Sequence, residues 1–243
     1  MTSGRSMGVA VTVDCQGSTV HAVRFLHGSG PVFYACLPRD SEARHCLVSI
    51  LWDHLAATEN SRWQGCRSAE VATLSIRLVR GLLGRPHLLL GEYTGPAVSF
   101  SESGGTVWAA LCGDGADIGI DVAGADEFQG EYPLHRVFLP AELEHASRLA
   151  GGDLAAAAAL LWSIKEATVK ALGCAFHLVE PRQISVYPAT EGAGGYTFPV
   201  GLSGKARERF PLATSQHLWV RSFPQRQRWL SIAQWQQRPT AHD

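Results

Sequence analysis

The sequence has almost no net charge and very few lysines. Its 21 basic and 22 acidic residues leave a formal charge of −1, so no overall positive field attracts nucleic acid or anionic lipid. Only Lys165, Lys170 and Lys205 are lysines, and the other 18 basic residues are arginines. We therefore expect no nucleic-acid partner, and any phosphate-bearing ligand must be held by a local site.

Signals for metal clusters, disulfides and membranes are also missing. The six cysteines lie far apart, and the sequence has no CxxC pair, no HxxxH pair and no Cys/His cluster with structural-zinc spacing. We find no secretory leader, and no apolar run approaches the ~20 residues of a membrane span. These absences predict a cytoplasmic protein with reduced cysteines and no membrane partner.

The composition is that of a folded domain. The 243 residues are 46% hydrophobic and 18% charged, which excludes a disordered chain and a collagen-like or coiled-coil repeat. This length fits one large domain or two closely packed halves.

Strand-like and helix-like patterns alternate along the chain. Asp153 is a good N-cap and Gly173 a good stop signal for the longest helix. The predicted strands are 9–13, 20–26, 98–101, 107–112, 118–122, 184–187, 196–200, 217–223 and 229–235. The predicted helices are 40–58, 68–83, 140–149 and 153–172.

Strands, helices and strands thus occur twice, which predicts an α+β protein built as a pseudo-twofold pair of similar halves, residues 1–100 and 101–243. One domain with unrelated ends is the alternative. If two halves form a cleft, one chain supplies both walls, so we expect a monomer.

The predicted strand 118–122 carries an acidic residue on one face. Ile118, Ile120 and Val122 point one way, whereas Asp121 points the other way beside Gly119, which leaves room for something to approach. The strand alone favours an aspartate that faces solvent, and a ligand-binding aspartate is the alternative.

The predicted helix 153–172 gathers Ser163, Glu166 and Lys170 opposite its apolar side. The helix alone favours a solvated face for these three residues. Lys165 falls at the edge of the apolar arc, where it must reach solvent or find a partner. Together, Asp121 and Glu166 would supply two hard oxygen ligands for Mg²⁺, with water and substrate phosphate as the other ligands.

At these residues the sequence resembles the large, single-chain 4′-phosphopantetheinyl transferases. The resemblance is carried by residues 118–122 (IGIDV) and 162–173 (WSIKEATVKALG), with 138–142 (FLPAE) between them. Residues 84–86 (GRP) and 98–101 (VSFS) are similar to two further family blocks.

The resemblance implies a cleft between two halves that binds coenzyme A. The implied reaction moves phosphopantetheine to a serine of an acyl or peptidyl carrier protein and releases adenosine 3′,5′-bisphosphate. Asp121 and Glu166 would bind Mg²⁺ at the pyrophosphate, Lys170 would contact phosphate, and Glu166 would take the proton from the serine.

The resemblance also implies nucleotide-binding residues. Arg85 and Pro86 would lie beside the nucleotide, with Ser101 near a phosphate. Because the first half of the chain has no lysine, the 3′-phosphate would need an arginine, for which Arg62, Arg67 and Arg77 are candidates.

Three positions depart from the family pattern. Ala123 replaces a second acidic residue, so more water should bind the metal. Glu102 stands where the family commonly has histidine, and a carboxylate there would repel phosphate. Cys174-Ala175 replaces the usual end of a Gly-x-Gly turn, and we expect Cys174 to be a small buried residue.

Two other functions stay open. The departures at Ala123 and Glu102 are compatible with a non-catalytic module that binds coenzyme A or a carrier protein. A Mg²⁺-dependent phosphohydrolase that uses water in place of the serine is the third possibility.

Overall fold

The computed structural model describes residues 14–15, 18–25, 30–59, 63–64, 76–113, 115–130, 132–176, 178–192, 194–213 and 218–235. Within these ranges the strands are β1 (Asp14–Cys15), β2 (Ser18–Thr19), β3 (His21–Val23), β4 (Val32–Pro38), β5 (Ile76–Arg80), β6 (Pro86–Leu90), β7 (Tyr93–Thr94), β8 (Ala97–Ser103), β9 (Thr106–Cys112), β10 (Asp117–Gly124), β11 (Ile184–Val186), β12 (Thr190–Gly192), β13 (Gly195–Leu202), β14 (Leu218–Gln225) and β15 (Arg228–Trp235). The helices are α1 (Ala43–Ala56), α2 (Leu134–Val137), α3 (Pro140–Leu149), α4 (Leu154–Ala171) and α5 (Gly204–Arg209), and short 3₁₀ turns lie at Leu82–Gly84, Ala125–Phe128 and Pro181–Gln183.

The first large sheet has the antiparallel order β3-β4-β9-β8 and carries α1 on one face. Both faces of β4 are buried. Phe33 and Ala35 pack towards α1, whereas Val32 and Tyr34 pack towards the second sheet. A strand buried on both faces shows a continuous apolar run instead of alternation, which explains why the sequence pattern did not predict β4.

The second large sheet has the order β10-β15-β14-β13-β11, with β12 pairing to β13, and α4 covers its outer face. The predicted signals for α4 are confirmed. The Asp153 side chain accepts a hydrogen bond from the Ala156 N–H at 3.0 Å, and Gly173 follows the helix with φ of +69°. A Cβ atom on Gly119 would lie 1.9 Å from the Ala167 carbonyl oxygen, so the glycine lets α4 approach β10.

The two large sheets pack against each other through a shared apolar layer that includes Val32, Ile118 and Ile120. Their edge strands β8 and β10 also meet. The Ser99 and Ser101 hydroxyls of β8 accept hydrogen bonds from the Ile120 and Val122 N–H groups of β10, at 3.1 and 3.2 Å. This seam between the sheets, beside α4, is where the chemistry-bearing residues collect.

The prediction of a helix over 68–83 is wrong where the structure describes it, because residues 76–80 form β5 of a small antiparallel sheet, β5-β6-β7. Ile76 and Leu78 are half-buried on either side of the exposed Arg77 and pair with Leu90 and Leu88 of β6. Leu83 turns the chain with φ of +59°, which ends the apolar pattern as a hairpin connection.

The mixed α+β class is confirmed. The predicted helices 40–58, 140–149 and 153–172 agree with α1, α3 and α4 within a few residues, and the predicted strands from 98 onwards agree with β8–β11 and β13–β15. Strand 9–13 lies outside the described residues. The two-half arrangement stays a prediction, and β8 crosses its boundary at residue 100. Along the described ranges, no helix is long and apolar enough to cross a membrane.

Candidate functional site

A cavity of about 580 Å³ opens between α1, α4, β8 and the turn that joins β5 to β6. Its charged lining is strongly basic, because Arg44, Arg80, Arg85 and Lys170 face it together with one carboxylate, Glu166. Apolar side chains that include Phe100 and Phe176 form other parts of the wall. Basic and apolar groups around one space suit a ligand that carries both phosphate and apolar parts.

A smaller cavity of about 330 Å³ adjoins the first and shares Arg44, Glu166 and Lys170 with it. Asp121 and Glu102 line this second space. The structure therefore brings Asp121, Glu166 and Lys170 to one place, as the sequence predicts.

Asp121 is fixed by two donors. Its Oδ1 atom accepts a hydrogen bond from the Ser101 hydroxyl at 2.9 Å and pairs with the Lys170 ammonium at 2.7 Å. Asp121 is only 7% exposed, so it does not face bulk solvent as the strand pattern alone favours. Lys170 also donates to the Ile120 carbonyl oxygen at 3.1 Å, which holds its ammonium between β10 and the cavities.

Glu166 is half-buried near this pair. Burial raises the pKa of the Glu166 carboxyl, the charge of Asp121 raises it further, and Lys170 opposes both effects. A cation bound beside Asp121 would reduce the repulsion that its charge exerts on an ionised Glu166.

The residues present fit a Mg²⁺ ion bound largely by non-protein oxygen. In the described part of the chain, no group of three or more His, Cys, Asp or Glu side chains could hold a metal ion. Asp121 and Glu166 are two of the four carboxylates that line the smaller cavity, and Mg²⁺ commonly takes one or two carboxylates with water and phosphate oxygens. Ala123 is buried and adds no ligand.

The predicted nucleotide-binding residues are partly brought together. Arg85 and Pro86 line the larger cavity, and Arg85 forms an ion pair with Asp117. Ser101 lines the smaller one. Arg77 is exposed on β5, whereas Arg80 of the same strand lines the larger cavity.

Two predicted candidates cannot be placed. Arg62 and Arg67 lie outside the described residues.

The helix residues beside the site are more buried than predicted. Ser163 does not lie on a solvated face, because it is fully buried and its hydroxyl contacts that of Ser231 at 2.7 Å. Lys165 is also fully buried and donates to Glu142 at 2.5 Å. Lys165 therefore forms a buried ion pair with Glu142 inside the protein, and its ammonium does not line either cavity.

Sequence reasoning missed Arg44 and the arginine partners of Glu102. Arg44 lies in the first turn of α1 and lines both cavities. Glu102 pairs with Arg44 at 2.8 Å and with Arg39 at 3.1 Å. A single arginine at the start of a helix carries no signal that distinguishes it from a surface residue.

A strand aspartate, a helix glutamate and a helix lysine meet where the basic cavity adjoins the smaller one, an arrangement suited to a phosphate-bearing ligand, and comparison with known families indicates a transferase. Residues 117–228 match the model of the 4′-phosphopantetheinyl transferase superfamily. The chain therefore contains a domain of this superfamily, and the domain carries Asp121, Glu166 and Lys170. No curated protein matches the chain.

Proposed function

We propose that the protein is a large, single-chain type transferase that moves 4′-phosphopantetheine from coenzyme A to a serine of an apo acyl or peptidyl carrier protein, with Mg²⁺. Adenosine 3′,5′-bisphosphate is the second product. The observation that carries the proposal is that Asp121, Glu166 and Lys170, all within the matched range, line one small polar cavity.

Coenzyme A binding is supported by the larger cavity. Its volume of about 580 Å³ lies within the range of small-molecule sites. Arg44, Arg80 and Arg85 supply cations for phosphates, and Phe176 with Pro86 supplies apolar surface for the rest of the ligand.

Asp121 and Glu166 are the residues that would hold Mg²⁺. A magnesium ion bound there would neutralise charge on the pyrophosphate and help align it. Lys170 adds a compact positive charge at the same place, because its ammonium lies 2.7 Å from Asp121.

Glu166 is suited to take the serine proton. Its raised pKa makes it a better proton acceptor than an ordinary glutamate, as long as it is ionised at the working pH. The serine oxygen would form a bond to the phosphorus that bears the pantetheine arm, and the bond from that phosphorus to the bridging oxygen would break. The proton would pass to Glu166, directly or through water, and the nucleotide would leave with the bridging oxygen. Such transfers need alignment and charge neutralisation more than covalent help from the protein.

The test is intact-mass analysis of a panel of apo carrier proteins incubated with the purified protein, coenzyme A and Mg²⁺. We expect a gain of one phosphopantetheine group, which EDTA should prevent. Asp121→Asn and Glu166→Gln should each lose most of the transfer activity, whereas the control Glu144→Gln, on an exposed α3 ion pair, should keep it. No mass gain with any carrier protein would refute the proposal.

Two further readouts separate the alternatives. Binding of coenzyme A without transfer would favour a non-catalytic module, and release of adenosine 3′,5′-bisphosphate without a carrier protein would favour a phosphohydrolase. The proposal includes a cytoplasmic location. It also includes a monomer, because α1, α4 and β8 of a single chain are sufficient to enclose the larger cavity. Light scattering after size exclusion would test the monomer.

A further inference from the structure

Glu102 lies on the rim of the smaller cavity as part of a three-residue charge cluster, Arg39–Glu102–Arg44. The Glu102 Oε1 atom accepts from Arg44 at 2.8 Å, and its Oε2 atom lies 3.1 Å from the Arg39 Nε atom. Arg44 also lies over the Phe100 ring, with its guanidinium carbon 5.4 Å from the ring centre. The cluster therefore holds one positive charge of Arg44 where the two cavities join.

Glu102 changes the charge that an incoming phosphate meets at Arg44. Arg44 and Glu102 both line the smaller cavity, whereas Arg39 is in the lining of neither cavity, so the Glu102 carboxylate offsets the positive charge that Arg44 presents there. Arg39 and Arg44 have side chains that are 67% and 40% exposed, so their pairing with Glu102 contributes little to folding. Glu102 can thus be replaced without unfolding the protein.

We propose that Glu102 is a specificity-determining residue that weakens the preference for a ligand phosphate at Arg44. This inference rests on the proposed function, which places the pyrophosphate at Asp121, Glu166 and Lys170. The remaining phosphate of coenzyme A is the 3′-phosphate. Arg44 and Lys170 are the two cations that line both cavities, and with Lys170 assigned to the pyrophosphate, Arg44 is left for the 3′-phosphate. The protein should therefore distinguish coenzyme A from 3′-dephospho-coenzyme A less strongly than it would without Glu102.

The test is calorimetric titration of the carrier-free protein with each of these two ligands at low ionic strength. The variants are E102Q and the matched control E144Q, which removes a carboxylate from an exposed arginine pair on α3, outside both cavities. We expect E102Q to tighten coenzyme A binding about fivefold, the factor that corresponds to ~1 kcal/mol between unit charges ~4 Å apart in water. Binding of 3′-dephospho-coenzyme A should change less than about twofold, and salt should reduce the gain.

The outcomes separate the two proposals. Weaker binding of coenzyme A by E102Q would overturn the inference and assign Glu102 to holding Arg44 in place. Equal tightening of both ligands, or no change in either, would overturn it too. If the unaltered protein bound neither ligand, the proposed function would fail, and this inference with it.

Discussion

The buried ion pair between Lys165 and Glu142 should be costly to break from either side. Lys165 is fully buried, and its ammonium donates to Glu142 at 2.5 Å and to the Val137 and Pro181 carbonyl oxygens at 3.2 and 2.9 Å. Glu142 in turn accepts the N–H groups of Leu139 and Val186 at 2.7 and 3.2 Å. The pair thus links the backbone at residues 137–139, at Pro181 and at Val186 to α4 through hydrogen bonds.

Glu142→Gln removes the charge and keeps nearly the same shape. It leaves the ammonium of Lys165 without a counterion, in a place where burial already lowers the pKa of that group and Glu142 opposes the shift. Removing one partner of a buried pair costs about 3–5 kcal/mol, and we expect a loss of about 3 kcal/mol in the free energy of unfolding. Lys165→Met should cost a similar amount, because it leaves the carboxylate of Glu142 buried.

The measurement is urea unfolding followed by tryptophan fluorescence. The double variant E142Q/K165M should be more stable than the sum of the single losses predicts, by about 2 kcal/mol, because the residues are in direct contact. Glu144→Gln, which breaks an exposed pair with Arg148, should change stability by less than about 1 kcal/mol. Losses under about 1 kcal/mol for both buried single variants, or strict additivity in the double variant, would refute the reasoning.

Four further predictions concern the two strands and the helix around the site. Gly119→Ala should lower the free energy of unfolding, measured in urea, by about 2 kcal/mol or more, because the new Cβ would lie 1.9 Å from a carbonyl oxygen of α4. Gly192→Ala should be tolerated, because no atom lies within 4 Å of the added Cβ. Equal losses in the two variants would contradict this. Ser101→Ala should lower the free energy of unfolding by about 1–2 kcal/mol, because it removes a donor to the Asp121 carboxylate and the acceptor of the Val122 N–H. It should also lower phosphopantetheine transfer several-fold in the mass assay. Unchanged stability would argue against this. In metal-free protein, the free energy of unfolding should fall as pH rises from 4.5 through the raised pKa of Glu166, because the folded state keeps the Glu166 proton to higher pH than the unfolded state does. The variant E166Q should show a smaller fall over the same pH range. Carbon NMR should show the pKa of Glu166 rising further in Lys170→Met, and a lower value would contradict the assigned effect of Lys170.

Local signals in the sequence predicted the elements that hold the site. The α4 boundaries follow from Asp153 and Gly173, whose capping geometry depends only on neighbouring residues. The strand β10 shows its alternation clearly, since Ile118 and Ile120 face the other sheet. Short-range chemistry was therefore sufficient to place Asp121 on a strand and Glu166 on a helix.

Long-range contacts decided what the sequence did not predict. Ser163 is polar and lies opposite the apolar side of α4, but it is buried there, and its hydroxyl forms a hydrogen bond with that of Ser231 of β15. Lys165 has its partner in Glu142, 23 residues away on α3. The pattern over residues 76–83 fits a helix and a strand equally well until β6 supplies the pairing partner.

The seam between β8 and β10 also bears on solubility. Both are edge strands of their sheets, and an open edge can add a strand from another copy of the chain. The hydroxyls of Ser99 and Ser101 accept hydrogen bonds from the N–H groups of Ile120 and Val122. These N–H groups at the edge of β10 are therefore not free to pair with a strand of another molecule. Because the Ser101 hydroxyl also donates to Asp121, a substitution there that alters the chemistry of the site would at the same time leave the Val122 N–H on that edge without its acceptor.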